Sequence, residues 1–406
     1  MTNVDLLIKN CENSLKEKFS SLDEIALFNT QKVLNAFKKY KVSAAHFNFS
    51  TGYGYDDIGR DTLSKLYAEI FKTEKAVVSP LFASGTHTLS VALFALLMPG
   101  DELLSISGTP YDTLLETIKG KNIGSLADYG ITYSEVGLKG ADFDEEAILK
   151  AINDKTKVIF ITRSRGYSWR DALTVDKIEK ICAVLKAKYP QISIVVDNCY
   201  GEFTDYKEPT EVGADLVVGS LIKNIGGGLA PTGGYSAGKA ELIEKIERRL
   251  TSPSIGGEVG SYFAGYLYMY EGLFLAPAHV KNALKGSSLV CAAFKSLGYE
   301  VMPDPLAKQG DIITSVKLND KEKLLALIRQ VQYNSPVDSY VTPEPWDMPG
   351  YDAQVAMAAG TFIQGASLEL SCDSPIKEPY IAYMQGGLTY EHVKIALKNC
   401  LEEIEK

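Results

Sequence analysis

Ile192-Ser-Ile-Val-Val-Asp197 and Gly219-Ser-Leu-Ile-Lys223-Asn-Ile-Gly-Gly-Gly228 are the stretches whose reading decides the fold. The first is a β-branched, apolar run closed by an acid. Its apolar residues are near-continuous rather than strictly alternating, as in a strand covered by helices on both faces. The second stretch continues another apolar run, 215–221, and ends in a lysine and three glycines. Val158-Ile-Phe-Ile-Thr162 is a third run of the same kind. Shorter ones lie at 76–80, 102–107 and 131–137, and helix-period segments separate several of them, at 86–98, 111–120, 143–153, 174–188 and 239–250. This alternation predicts an α/β unit with a mostly parallel sheet between about 60 and 250.

Outward from this unit the texture changes. Residues 3–41 carry apolar positions at helical spacing, and 46–59 read as a Gly/Tyr/Asn/Asp-rich loop. A helix is predicted to follow, with Asp61 near its start. Residues 257–297 are helical in pattern, with Gly272 and Pro277 expected to break or kink the run. Beyond Gly298 the pattern is a strand at 311–318, a helix at 319–332, a Pro-rich loop at 336–349, a strand at 366–371 and a helix at 389–404. The predicted organisation is an N-terminal helical segment and arm (1–59), a large domain (60–298) and a smaller α+β domain (299–406).

Composition excludes several classes. Of 406 residues, 46% are hydrophobic and 23% charged, which is incompatible with a largely disordered chain. The net charge of −9 argues against nucleic acid as a main partner. The six cysteines (11, 182, 199, 291, 372 and 400) form no C-x-x-C pair and read as reduced thiols. The N-terminus lacks the apolar core of a signal peptide, and the longest apolar stretch, Val91–Met98, is too short to span a bilayer. A cytoplasmic protein with no membrane partner is expected. Histidines 46, 87, 279 and 392 have no metal-ligand spacing, so no metal is expected. No G-x-G-x-x-G follows an early strand, which disfavours a nicotinamide enzyme.

Six places could carry chemistry, and each also has a plain structural reading. Ser84-Gly85-Thr86-His87-Thr88 opens an apolar helix, where unpaired N–H groups can receive a phosphate or Ser84 can simply cap. Asp197 ends a buried strand, where it could hold a protonated ring nitrogen or satisfy a helix N-terminus. Lys223 could be a desolvated nucleophile of lowered pKa, or a solvated turn lysine. Tyr111 could stack on a flat ring or pack at a helix start. Tyr53–Arg60 combines phenols with a guanidinium suited to phosphate, or is a polar loop. Arg163, Arg165 and Arg170 after the third strand could receive a carboxylate, or form a surface patch.

The order of phosphate loop, aromatic, strand-end Asp, Ser-x-x-Lys and glycines resembles that of pyridoxal-phosphate enzymes of the aspartate aminotransferase fold. The interval from Asp197 to Lys223, and Ser220–Lys223 followed by Gly226-Gly227, are similar to those of the cystathionine and methionine lyases. Tyr53–Arg60, Arg163–Arg170, the run 220–235 and the run 348–375 resemble the methionine gamma-lyase-like proteins described as aluminium-resistance carbon–sulphur lyases. Two features depart from the better-characterised lyases. Their E-x-P-x-N-P segment stands here as Thr162-Arg-Ser-Arg-Gly-Tyr167, and no arginine near 366–380 matches their C-terminal substrate-carboxylate arginine, Lys377 being the cation present.

The resemblance implies a fold type I, three-layer α/β architecture and a pyridoxal 5'-phosphate cofactor anchored on Lys223. It implies that Ser84, Gly85, Thr86 and Ser220 hold the phosphate, Asp197 pairs with the ring nitrogen and Tyr111 stacks on the ring. Tyr55 and Arg60 would complete the site from a second copy of the chain, giving a homodimer or homotetramer with shared sites. Lys223 would act as base at Cα, Tyr55 or Tyr111 would protonate a leaving thiolate, and Arg163, Arg165 or Lys377 would bind the substrate carboxylate. The implied activity is β- or γ-elimination from a sulphur-containing amino acid. Transamination, racemisation, retro-aldol cleavage or a non-catalytic cofactor-binding role are the alternatives.

Overall fold

The chain opens with helices α1 (Asn3–Ser14), α2 (Lys16–Lys39) and α3 (Ile58–Ile70). A computed structural model describes residues 3–52, 57–348 and 353–405. Then follow β1 (Lys75–Ser79), α4 (Gly85–Leu96), β2 (Glu102–Ser105), α5 (Asp112–Lys119), β3 (Thr132–Glu135) and a small hairpin of β4 (Leu138–Lys139) and β5 (Asp142–Phe143). After these come α6 (Glu145–Ala151), β6 (Thr156–Thr162), α7 (Val175–Lys188), β7 (Ser193–Asp197), β8 (Leu216–Ser220), β9 (Gly234–Gly238) and α8 (Ala240–Leu250). The long α9 (Leu267–Ser296) leads to β10 (Glu300–Met302), β11 (Ile313–Lys317), α10 (Lys321–Tyr333), β12 (Val355–Ala358), β13 (Ser371–Pro375), β14 (Ile381–Gln385) and α11 (Tyr390–Ile404).

Seven strands form the large sheet in the order β1-β9-β8-β7-β6-β2-β3. The pairs from β8 through β3 are parallel, and β9 runs antiparallel between β1 and β8. Along β7, Ile194 and Val196 enter one core with α2, α3, α7 and α9, while Val195 enters the other with α4, α5 and α8. That period of two, apolar on both faces, is the physical content of a three-layer α/β fold. Register places Asp197 opposite Thr162 of β6 and Val218 of β8, so the carboxyl ends of these strands form one rim.

A second sheet, β10-β11-β14-β13-β12, is antiparallel throughout. One face, with Val316, Ala356, Cys372, Ala382 and Met384, packs on α10, α11 and the end of α9. The other presents Asp373, Tyr383 and Gln385, which strand alternation sets on one side. Among the described residues no helix is long and apolar enough to cross a membrane.

Residues 3–41 are helical and divide in two, as α1 buries Ile8 and Cys11 in the small core whereas α2 buries Leu22, Val33 and Ala36 in the large one. Three parts of the sequence reading change. Strand β9, Gly234-Tyr-Ser-Ala-Gly238, escapes a hydrophobicity reading because its glycines make room for close neighbours. A Cβ on Gly234 would lie 2.0 Å from Thr88 Oγ1. Helix α9 runs unbroken through Gly272 and Pro277, held by burial along its length. The strand expected at 366–371 lies at Ser371–Pro375 instead, and β10, β12 and β14 were not anticipated.

Candidate active site

Lys223 follows β8 and begins a short 3-10 turn over Asn224–Gly226. The glycines after it seat this turn directly on α9. A Cβ on Gly272 would lie 2.1 Å from the Gly226 carbonyl oxygen, and one on Gly227 equally close to that of Gly272. Backbone thus rests on backbone, which fixes where the Lys223 side chain starts. Its Nζ donates to Tyr200 Oη and to the Gly365 carbonyl, both at 3.0 Å, and lies 4.8 Å from the Tyr200 ring centre. Burial works against the ammonium, but the Tyr200 phenol, Cys199 and Asp373 more than offset it, so the amine sits above its ordinary pKa. The lowered value expected from sequence is therefore not found in this arrangement.

Tyr200 holds its place at a backbone cost. Its φ is +70°, a region worth about 1–3 kcal/mol of strain for a residue with a Cβ. Asp197, three residues earlier, is 3% exposed and accepts from the Cys199 N–H at 3.1 Å. Burial pushes its carboxyl up to about 6, although the Cys199 hydrogen bonds and the Lys223 charge pull the other way.

Facing these groups is the N-terminus of α4. Ser84 is its cap and accepts from the His87 N–H at 3.0 Å. The Gly85 and Thr86 N–H groups belong to the first turn, which has no intrahelical partners. A Cβ on Gly85 would lie 3.1 Å from Ser220 Cβ and 3.7 Å from its Oγ. Ser220 is fully buried, and its hydroxyl has no hydrogen-bond partner among the described residues. An orphaned buried hydroxyl before a helix N-terminus is a site for an anion the protein itself does not supply. Thr86 Oγ1 lies 3.1 Å from Tyr111 Oη. Burial, with the Asp197 charge beside it, holds the Tyr111 phenol well above its usual pKa, so it is a proton donor at neutral pH.

The structure thus brings together Ser84, Gly85, Thr86, Tyr111, Asp197, Ser220 and Lys223. Pyridoxal phosphate fits this set: an amine for its aldehyde, a buried acid for its ring nitrogen, and an unsatisfied hydroxyl beside helix N–H groups for its phosphate.

Arg163, Lys377 and Arg60 lie elsewhere. Arg163 is 1% exposed and donates to Leu173 O, Asn198 Oδ1, Gly201 O and Thr204 Oγ1, with Glu208 at 3.7 Å. Every guanidinium nitrogen is engaged inside the protein, so the expectation that it receives a substrate carboxylate is corrected. Lys377 sits in an exposed turn two residues past β13, and the residue of that strand acting on Lys223 is Asp373. The displaced strand explains the error. Arg60 is bound to Asp61 at 3.0 Å and to the Gly52 carbonyl at 3.4 Å, contacts that do not join it to Lys223. Tyr55 lies outside the described residues. Arg165 is paired with Asp311 and keeps one buried nitrogen, Nη1, without an acceptor among the described residues.

Sequence reasoning missed Tyr200, Gly365, Asp373 and Tyr167. A signal existed for two of them. Tyr200 follows Asp197 closely on the same rim, and Ser371-Cys-Asp-Ser-Pro375 alternates with a polar side.

A family model described as "Methionine gamma-lyase" matches residues 4–405. The chain belongs to the methionine gamma-lyase family. An uncharacterised Bacillus subtilis protein, YnbB, is 50% identical over 94% of this chain and 92% of its own. A Listeria monocytogenes structure, described provisionally as a cystathionine beta-lyase involved in aluminium resistance, is 50% identical with a TM-score of 0.97 over 98% of this chain and all of that one. A Clostridium novyi structure, described as a carbon–sulphur lyase involved in aluminium resistance, is 50% identical with a TM-score of 0.95 over 99% and 96%. Cystathionine gamma-lyase of Lactobacillus plantarum, at 18% identity and a TM-score of 0.61 over 85% and 86%, shares the fold. The chain is thus a lyase-family protein of the fold type I architecture expected from its motifs.

Proposed function

We propose that this member of the methionine gamma-lyase family is a pyridoxal-phosphate-dependent carbon–sulphur lyase, eliminating a thiol from an amino acid at Cβ or Cγ. The observation that carries it is the orphaned Ser220 hydroxyl before Gly85, on the same rim as Asp197 and Lys223. When bound, the cofactor supplies an electron-withdrawing ring that takes up the charge left at Cα.

The chain's own residues do the rest. Ser220 Oγ and the N–H groups of Gly85 and Thr86 bind the phosphate. Asp197 Oδ1 and Oδ2 hold a proton at the ring nitrogen, and a buried carboxylate gains from that cationic partner. Lys223 Nζ moves the Cα proton, and Tyr200 Oη keeps that amine in place. Tyr111 Oη, protonated at neutral pH and tied to Thr86, offers the leaving thiolate a proton. Arg165 receives the substrate carboxylate at Nη1, the nitrogen left without an acceptor among the described residues beside its Asp311 pair. Tyr55 and Arg60 reach the phosphate from a second copy of the chain. The exposed Phe49 and Phe263, whose ring centres are 5.1 Å apart, offer apolar surface for such a contact.

The test is the visible spectrum of the purified protein before and after borohydride, with peptide mapping. A yellow band that bleaches and leaves pyridoxyl on Lys223 is expected. Sulphur amino acids should then release a 2-oxo acid, ammonia and a thiol. A colourless protein that takes up no added pyridoxal phosphate overturns the reading. Amino-group transfer to an acceptor, without thiol release, replaces elimination by transamination.

A further inference from the structure

Lys223 is held by two acceptors that belong to different parts of the fold. Tyr200 Oη, just past the end of β7, accepts from its Nζ at 3.0 Å. The Gly365 carbonyl, in the segment between β12 and β13, accepts at the same distance and lies 142 residues on in the chain. Gly365 has a φ of +77°, a left-handed conformation open to glycine, and a Cβ there would lie 3.4 Å from Ile222 Cδ1.

The turn that carries Gly365 is built from its own side. Glu369, which is buried, accepts from the Phe362 N–H at 2.8 Å and from the Ile363 N–H at 3.0 Å. The Ile363 carbonyl accepts from Thr361 Oγ1 at 2.8 Å and from the Ala366 N–H at 3.0 Å. Behind the turn, the Gly387 N–H donates to the Leu368 carbonyl at 2.7 Å, and a Cβ on Gly386 would lie 2.3 Å from the Glu369 carbonyl oxygen. Among the described residues, 361–366 makes its one hydrogen bond to the rim of the large sheet through Lys223 Nζ. Phe362, at its tip, is 72% exposed and adds little packing to hold the turn down. A segment with few buried apolar contacts opens at small cost, so one hydrogen bond from a charged donor decides much of its order. An ammonium has three N–H groups and serves both acceptors at once. A nitrogen bonded to an aldehyde carbon keeps at most one hydrogen and cannot.

We propose that the turn 361–366 follows the bonding state of Lys223: the free ammonium clasps it to the rim of the large sheet, and bonding of Lys223 to the cofactor lets it go. This rests on the reading that Lys223 anchors pyridoxal phosphate, and it adds a conformational consequence to that anchoring. Lys223 is free in two states, the cofactor-free protein and the one in which an amino acid has displaced it. The clasp therefore closes once a substrate has taken the place of Lys223 and opens when the lysine returns, so entry and release occur with the turn loose.

The experiment reads backbone hydrogen–deuterium exchange of the peptide spanning 359–370 by mass spectrometry. It compares the cofactor-free wild type, the holoenzyme, the borohydride-reduced holoenzyme and Lys223→Met, each of the last three also with L-alanine, which has no group to expel from Cβ. Lys223→Met receives pyridoxal phosphate together with the L-alanine. Exchange in the cofactor-free wild type is expected to be about threefold or more slower than in the holoenzyme and in Lys223→Met. L-Alanine should restore slow exchange in the holoenzyme alone, since in the reduced protein it cannot displace Lys223. Equal exchange in the cofactor-free wild type and Lys223→Met overturns the proposal, as does a holoenzyme that exchanges no faster than the cofactor-free form. Slow exchange in Lys223→Met given both cofactor and L-alanine also overturns it, because the ligand rather than the lysine would then hold the turn. Should Lys223→Met fail to fold, the reduced protein replaces it as the form without a free ammonium, and slow exchange there rejects the clasp. A protein that takes up no pyridoxal phosphate sinks the lyase reading and with it the release step, while the cofactor-free comparison of wild type with Lys223→Met decides the clasp separately.

Discussion

Two buried polar clusters meet at the carboxyl ends of β6, β7 and β8, and they are built on opposite principles. Around Arg163 every nitrogen of the guanidinium has a partner, and Glu208 is held by Asn198 and the Phe203 N–H. Around Lys223 the groups are left short: Ser220 Oγ has no partner among the described residues, Asp197 is pushed toward its neutral form, and Tyr200 is held in a strained backbone conformation. Both contain a cation, acids and small polar residues from adjacent stretches of sequence. A saturated cluster stabilises the rim and offers nothing to a ligand. An unsaturated one costs stability until a ligand arrives. Asn198 and Asp197 are neighbours in the chain, yet alternation at the strand end sends one to each cluster.

Substitutions can break this contrast. Lys223→Ala is expected to reduce thiol release by roughly 10³-fold or more while leaving the thermal midpoint near that of the wild-type protein. Steady-state assay together with a melting curve checks both halves. Arg163→Met is expected to do the reverse, costing about 3–5 kcal/mol by leaving Glu208 buried without its cation. A denaturation midpoint close to wild type would show that the cluster is not structural.

Ser220→Ala is subtler. Cofactor affinity should fall about tenfold, as for a lost hydrogen bond to a charged group, while the cofactor-free protein keeps or gains stability because an unpaired buried hydroxyl is gone. Equilibrium dialysis with pyridoxal phosphate and melting of the cofactor-free form separate the two effects.

The smallest effect concerns Glu202, which lies between the clusters. It is fully buried, accepts from Tyr235 Oη at 2.9 Å, and has one oxygen without a partner among the described residues. Burial is the main reason its carboxyl is pushed up to about 8. The native state then holds a proton that the unfolded chain gives up from about pH 4.5 upward. Its contribution is complete below that value and is lost as the pH rises through about 8. Glu202→Gln removes this loss, so the variant's melting point should gain on the wild type by a few degrees between pH 5 and pH 8.5. A constant difference across that range would mean Glu202 is ionised in the native state.

Much of the large domain was legible in the sequence. Buried parallel strands and the helices between them have local signatures, and Ser220, Lys223 and Asp197 sit where strand ends are marked by polar residues after apolar runs. Glycines blurred the reading in two places, since Gly234 and Gly238 frame a strand and Gly272 sits inside a helix. In each case close packing against another element, not local propensity, required the missing side chain.

Sequence alone determined the fold class, the resemblance to a cofactor-anchoring lysine motif, and the residues of one rim, because period and spacing are local properties of the chain. Tertiary structure decided which cations are committed and which acids are exposed to Lys223. Arg163 and Arg165 are two residues apart and look alike in sequence, yet among the described residues one is saturated and the other keeps a nitrogen without a partner. Asp373 acts on Lys223 from the second sheet, and Lys223 itself is held by the Gly365 carbonyl, more than a hundred residues on in the chain. Hydrogen-bond saturation and charge pairing are sums over neighbours distant in the chain, and no local pattern records them.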